Sequence, residues 1–225
     1  LGDFRSVGEE HSSDEIPVGY KKTEIGIIPE TWKAVCLSSC SEIIMGQSPP
    51  GFSYNRKEEG KPLINGPTEF TKLHPVKIQW TNSPVKICKP GDLIICVRGS
   101  STGRTNYAND EFALGRGVAA IRAKDDNVTN FVSLQIISAV SKILTKATGS
   151  TFPSVKAASL RNLVIPLPQS EEQAAIAEMV SDVDNLIESL DNLITKKQAI
   201  KKATMQQLLT GRVRLPGFNE KWEIK

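Results

Sequence analysis

The sequence contains no apolar run of about 18 residues, so it encodes no membrane-spanning helix. No secretory signal is read ahead of the fold, although the chain starts at Leu1 rather than methionine. Histidine occurs only at positions 11 and 74, with no Ser/His/Asp or Cys/His arrangement around His11 or His74. Cysteine occurs at Cys36, Cys40, Cys88 and Cys96, separated by 3, 47 and 7 residues. None of these spacings makes the C-x2-C pair of a zinc site or a redox motif. The four read as free, mostly buried thiols of a cytoplasmic protein. Net charge is only +3, which permits nucleic-acid binding without demanding it.

Motifs for chemistry are missing in the same way. The stretch "VRGSSTGRTN" at 97–106 follows the apolar run "GDLIIC", where many proteins hold phosphate. A P-loop requires G-x-x-x-x-G-K-[ST], but Arg104 stands where the second glycine should fall and no lysine follows. A methyltransferase tetrad of the N-P-P-Y type finds its nearest match in "SPPGF", with the wrong first residue and Gly51 at the aromatic position. Glu59 and Lys61 make an E-x-K, but they lie in the polar run "NRKEEGK" without a partner aspartate upstream, so a metal-dependent nuclease site is not built. The chain therefore reads as non-catalytic, with no cofactor or metal of its own.

What is present is β-rich from 20 to 168. Apolar runs "WKAVCL", "KPLIN", "VKIQW", "PVKIC", "DLIICV", "TNYA" and "FALGRGVAAIRA" are separated by turn residues. "KICKPGDLII" reads as a tight hairpin around Pro90 and Gly91. One helix is expected over 129–147, with Phe131, Leu134, Ile137, Val140 and Leu144 toward a core. The class is mixed α+β: a β-rich domain over 20–168, preceded by a loose polar arm over 1–19.

From 169 to 210 there is neither proline nor glycine. Ser170 and Gln173 fit a capping box, Glu171 and Glu172 suit the positive end of the helix dipole, and Gly211 suits the position after the last turn. About 40 residues at ~1.5 Å each give a helix of roughly 60 Å, longer than a 150-residue domain needs. Ile176, Met179, Val180, Val183, Leu186, Ile187, Leu190, Leu193 and Ile194 recur at spacings of three and four. That is close to a heptad seam and predicts a coiled-coil partner, though a helix lying on its own domain would show the same stripe. Residues 211–225 echo an earlier stretch: "FNEKWEIK" and "PETWKAV" each place tryptophan two residues after glutamate, as if a second repeat were beginning.

Three polar stretches carry groups that DNA recognition uses. One holds Gln47, Ser48 and Tyr54, with Asn55, Arg56 and Lys57 beside them. A second holds Arg98, Ser100, Ser101, Thr102, Arg104 and Thr105. A third holds Ser150 and Thr151, and Arg116 stands apart in "LGRGV". Arginine bonds guanine bidentately, Gln or Asn bonds adenine, and Ser or Thr takes base or phosphate. Composition alone is equally satisfied by ordinary solvent loops. Lys196, Lys197, Lys201 and Lys202 either touch phosphate or solvate the end of the seam.

In combination the chain resembles the DNA-specificity subunit of type I restriction–modification systems. The resemblance rests on "IPETWKAVCLSSCSEIIMGQSP", "INGPTEF", "KPGDLIICVRGSSTGR", "TGSTFPSVKAASLRNLVIPLP", "EEQAAIA" and "MQQLLTGRVRLPGF", in that order from about Tyr20 to the C-terminus. It implies a target-recognition domain and a spacer helix, with no chemistry in either. It further implies double-stranded DNA and a modification subunit as partners, the latter binding S-adenosylmethionine and methylating adenine. A restriction subunit with translocase and nuclease activity can join them. The family plan has two recognition domains and two antiparallel helices; this chain has one of each. It is expected to be a half-sized subunit acting as a homodimer on a split palindrome, or else a fragment. The competing reading is a coiled-coil scaffold without DNA specificity of its own.

Overall fold

The computed structural model describes residues 16–125, 127–146 and 154–218. Residues 1–15 of the expected arm, Ser150 and Thr151, and residues 219–225 of the tail echo lie outside the described residues. The chain forms two compact units, Leu1–Ala177 and Glu178–Lys225.

In the first unit, β1 (Tyr20–Thr23) and β2 (Gly26–Pro29) form an antiparallel hairpin. β3 (Lys33–Cys36), a single helical turn α1 (Leu37–Cys40) and β4 (Ser41–Met45) follow. Next come β5 (Tyr54–Asn55), β6 (Lys61–Ile64), β7 (Trp80–Thr81) and β8 (Ile87–Cys88). Then β9 (Leu93–Cys96), β10 (Thr105–Tyr107), β11 (Phe112–Leu114) and β12 (Val118–Ala123) lead to α2 (Thr129–Lys146), α3 (Ala157–Arg161) and β13 (Val164–Leu167). The last element is α4 (Ser170–Leu209). The α+β class holds: a β-rich N-terminal part is followed in sequence by a long helix.

Two main sheets share the core. One is antiparallel with strand order β10-β9-β12-β4. The other runs β5-β7-β6-β11-β8, in which only β6 and β11 pair in parallel. Successive side chains on a strand point to opposite faces, and this divides the continuous apolar runs between two clusters. Leu93, Ile95, Ala119 and Ile121 pack with Val132 and Ile136 of α2 and Leu160 of α3. Ile94, Cys96, Val118 and Ala120 pack with Ile64, Phe112 and Leu114 of the five-stranded sheet. That is why "LIIC" has no polar alternation: β9 is buried on both faces. β3 and β13 pair antiparallel, from Val164 opposite Cys36 to Leu167 opposite Lys33.

Several expectations change. The Pro90–Gly91 turn is tight, with Asp92 N donating to Lys89 O at 3.1 Å, but it joins no hairpin. β8 pairs with β11, whereas β9 pairs with β10 and β12, so the turn carries the chain between sheets. "FALGRGVAAIRA" is two strands, interrupted at 115–117. "VKIQW" contributes only Trp80 to a strand, while β1, β2, β4, β5 and β13 were not among the expected runs. In α2 the buried stripe is Phe131, Val132 and Ile136 rather than Leu134 and Ile137; Ile137 is exposed. The Ser170–Gln173 box is also replaced. Gln173 is buried, its Nε2 donates to Pro168 O at 2.9 Å and Asn127 Oδ1 at 3.0 Å, and its Oε1 accepts from Val128 N at 3.0 Å. The residue fastens the first turn of α4 to the turn before α2. Trp32 Nε1 adds a bond to Glu172 at 3.1 Å. At the other end of α4, Gly211 takes the expected left-handed conformation, φ 69°.

One half-buried ion pair ties the residue before β9 to β12. Arg122 reaches the buried Asp92 through Nε–Oδ1 at 2.7 Å and Nη2–Oδ2 at 2.6 Å, and Lys89 N also donates to that carboxylate. Removing Arg122 would leave the buried Asp92 carboxylate without its counter-charge, which is destabilising.

The thiols follow burial. Desolvation pushes Cys88 from an ordinary 9.0 up to about 12 and Cys96 up to about 11, and it raises Cys40. Only Cys36 is exposed. Between pH 9 and 11 the unfolded chain releases thiol protons that the folded chain keeps, so these groups stabilise the fold below that window and the contribution is lost as pH rises through it. A thiol reagent at pH 8 is expected to titrate one sulfhydryl rapidly in the native chain and the other three only in denaturant. Urea unfolding from pH 8 to 11 should show falling stability, with a shallower fall in Cys88→Ala.

Candidate nucleic-acid interface

Register places three segments at one end of the four-stranded sheet. Met45, the last residue of β4, lies opposite Ala119, and Cys96, the last of β9, lies opposite Val118, the first of β12. The loops leaving these strands are laced by backbone bonds. Gly46 N donates to Val118 O at 2.9 Å, Gln47 N to Leu114 O at 2.9 Å, and Val97 N to Gly117 O at 2.8 Å. Arg116 N makes a longer bond, 3.4 Å, to Ser48 Oγ. The bridge between Arg98 and Ser154, with Val155 N on Val97 O at 2.9 Å, brings the chain after 153 to the same end.

The spacing is too close for side chains. A Cβ at Gly46 would strike the carbonyl oxygen of Gly115, one at Gly115 would strike Asn65 Oδ1, and one at Gly117 would strike Asn65 O. Asn65 is held in turn by Glu69, a buried carboxylate whose Oε2 accepts from Asn65 N at 3.3 Å and Gly66 N at 3.1 Å. "MGQSP", "INGP" and "LGRGV" therefore meet at one place.

"VRGSSTGRTN" is the β9–β10 hairpin loop. Cys96 N donates to Arg104 O and Gly103 N to Cys96 O, both at 2.8 Å, and Thr102 N and Oγ1 both reach Gly99 O, at 3.1 and 2.7 Å. Gly103, φ 92°, seats the loop on α2, where a Cβ would lie 2.7 Å from Val140 Cγ1. The amides of Thr102, Gly103 and Arg104 are used within the loop, so its second half is an ordered turn.

The expected contact residues separate by environment. Gln47, Arg98, Ser100, Arg104 and Arg116 are exposed, and Ser48 and Ser101 are half-buried, all on these loops. Thr102 departs from the expectation: it is 8% exposed and its hydroxyl closes the turn onto Gly99. Thr105 lies within β10 and Tyr54 within β5, both half-buried. Asn55 is used locally, its Oδ1 accepting from Lys57 N and Glu59 N. Among the described residues no carboxylate pairs with Arg98, Arg104 or Arg116, in contrast to Arg122. Lys61 of the E-x-K pairs with Glu111 at 2.6 Å, and among the described residues no group of three His, Cys, Asp or Glu could hold a metal ion. No described helix is long and apolar enough to cross a membrane. Sequence reasoning missed Asn65, Glu69 and the exposed Phe52; "NGPTE" and "PPGF" carried the signals, a capped turn and an aromatic held by prolines.

Unpaired arginines on rigid loops at a sheet end define a surface suited to a polyanion. The profile described as type I restriction modification DNA specificity domain matches residues 29–202. The chain is 38% identical over 199 residues to the MjaX type I restriction enzyme specificity subunit of Methanocaldococcus jannaschii, covering 87% of this chain and 47% of that one. It is 28% identical to the MjaVIII specificity subunit of the same organism, over 81% of this chain and 43% of that one. Among solved structures, the HsdS subunit from Thermoanaerobacter tengcongensis matches with TM-score 0.68 and 28% identity, over 84% of this chain and 47% of that one. A chain from a study of type I R-M assembly and conformational transition matches with TM-score 0.67 and 32% identity, over 80% and 45%. The chain belongs to the type I restriction–modification DNA-specificity family, and it spans about half the length of the curated relatives it matches.

Gly115→Ala should force a methyl group into Asn65 and loosen the loop junction. We expect a loss of about 1–3 kcal/mol in urea unfolding, as overpacking costs, with Gly51→Ala, which meets nothing within 4 Å, close to unchanged.

Proposed function

We propose that this chain reads one half-site of a bipartite DNA target and performs no chemistry itself. The observation that carries the reading is the set of exposed Arg98, Arg104 and Arg116, without a carboxylate partner among the described residues, on loops fixed to one end of the four-stranded sheet. Arginines so held take phosphate or guanine at little conformational cost. Gln47, Ser48, Ser100 and Ser101 supply further donors and acceptors for base edges or backbone. In this reading a modification subunit docks on the chain, brings S-adenosylmethionine and methylates adenine, and a restriction subunit that joins would supply cleavage.

The second unit supports a homodimer. Met179, Val183, Leu186, Ile187, Leu190, Leu193 and Ile194 are each about half exposed or more, while Ile176 and Val180 are half-buried. A stripe this apolar and this exposed favours a partner. Charge argues for which partner. Glu171, Glu172, Glu178, Asp182, Asp184, Glu188 and Asp191 precede any basic residue of the helix, and Lys196, Lys197, Lys201 and Lys202 follow with no acid among them. A second copy in antiparallel orientation sets acidic half against basic half. Two-fold symmetry then makes the target a split palindrome.

Selection of bound duplexes from a random pool, with the chain and its modification subunit, should enrich such a palindrome. Two unrelated halves, or a single half-site, would contradict the homodimer. No enrichment would contradict DNA specificity and favour a coiled-coil scaffold. Arg104→Ala should weaken retention of the selected duplex; if the contact is to phosphate, the loss is uniform across sequences and the slope of log affinity against log salt falls by about one. Unchanged binding would remove Arg104 from the interface.

A further inference from the structure

Phe52 is the most exposed aromatic side chain among the described residues, at 90%. It is not on a loose loop. The segment carrying it is fixed at one end by Gly46 on β12 and Gln47 on the end of β11, and by Ser48 against Arg116. At the other end Ser53 is buried, its Oγ bonded to Pro50 O and to Thr81 Oγ1, both at 2.7 Å, and Asn82 N donates to Ser53 O at 3.2 Å. Pro49 and Pro50 fix two backbone φ angles, and Gly51–Ser53 form a single 3-10 turn. The ring therefore stands in solvent on a preorganised backbone, with only its own two side-chain torsions left to order on binding.

The surroundings indicate what it meets. Gln47 and Ser48 lie in the same segment, Arg116 is bonded to it, and Arg56 and Lys57 follow within five residues. A protein-docking aromatic is ordinarily ringed by other apolar groups; the stretch carrying this one supplies Gln47, Ser48, Arg56 and Lys57 within five residues of it on either side. An apolar ring projecting from a basic, polar surface fits a base step, where it can slip between stacked bases while the cations hold the phosphates.

We propose that Phe52 is a wedge that inserts into one base step of the half-site, so that the chain reads the ease of unstacking there in addition to base edges. This rests on the DNA-reading function above. Pyrimidine–purine steps unstack most readily and are the steps such a wedge selects.

The test repeats the duplex selection with the full chain and its modification subunit, comparing wild type, Phe52→Ala and Arg104→Ala. Phe52→Ala should lose preference at one dinucleotide step and bind the selected duplex about tenfold more weakly, with an unchanged salt slope. A mismatch placed at that step, which unstacks it in advance, should restore most of the binding of Phe52→Ala while helping wild type and Arg104→Ala little. Unaltered selection by Phe52→Ala, or no restoration by the mismatch, overturns the wedge. Loss of the modification subunit from Phe52→Ala with DNA selection intact also overturns it, in favour of a protein contact. If wild type enriches no sequence, the DNA-reading function itself fails and the wedge falls with it.

Discussion

The loop cluster depends on a close approach of backbone to backbone. At Gly46, Gly115 and Gly117 there is no room for even a methyl group, because the opposing atoms are carbonyl oxygens and the Asn65 side chain. Without that approach Gly46 N could not reach Val118 O, nor Val97 N reach Gly117 O. The loops would then splay, and Arg98, Arg104 and Arg116 would no longer share a frame. Exposed arginine side chains carry large rotamer entropy, so a rigid backbone beneath them is what makes a sparse set of cations a defined surface.

That frame rests on a sheet buried on both faces. β9 and β12 contribute alternate residues to two clusters, one toward α2 and α3 and one toward the five-stranded sheet. Both faces being covered, the variable chemistry is left to the strand ends, where loops leave the sheet. The Asp92–Arg122 pair closes the opposite end of β9, its bidentate geometry tying the start of that strand to the end of β12. Arg122 differs from the three loop arginines in its partner: it has its carboxylate, and they have none among the described residues.

The sequence made some of this legible and hid the rest for physical reasons. α4 was readable at both ends because proline and glycine are absent from 170 to 209 and Gly211 follows. β9 was readable as a buried strand because it is apolar on both faces. The hairpin at Pro90–Gly91 was misread because turn chemistry reports that the chain reverses, not which strands then pair. Of the α2 stripe, Phe131 and Val140 face the core as expected, whereas Ile137 was misplaced by one residue because consecutive Ile136 and Ile137 fit either helical face, and only packing against the sheet chooses Ile136. Of the expected contact residues, those that proved exposed are long and charged or lie on the loops, whereas Thr102 and Asn55 were consumed by their own turns. Short hydroxyl and amide side chains bond readily to nearby backbone, so composition alone counts them as recognition groups when they are turn formers. Gln173 reversed the error in the other direction: assigned to a local cap, it ties the start of α4 to the turn at 127–128.

The central claim is that the end of the four-stranded sheet carrying 46–57, 98–105 and 115–117 is the face that meets DNA. Amide hydrogen exchange on the full chain with its modification subunit, with and without the selected duplex, tests it most directly. The account predicts that DNA slows exchange in those three segments and leaves 76–88 unchanged. Slowing confined to 76–88, or no slowing in any of the three loop segments, would contradict it.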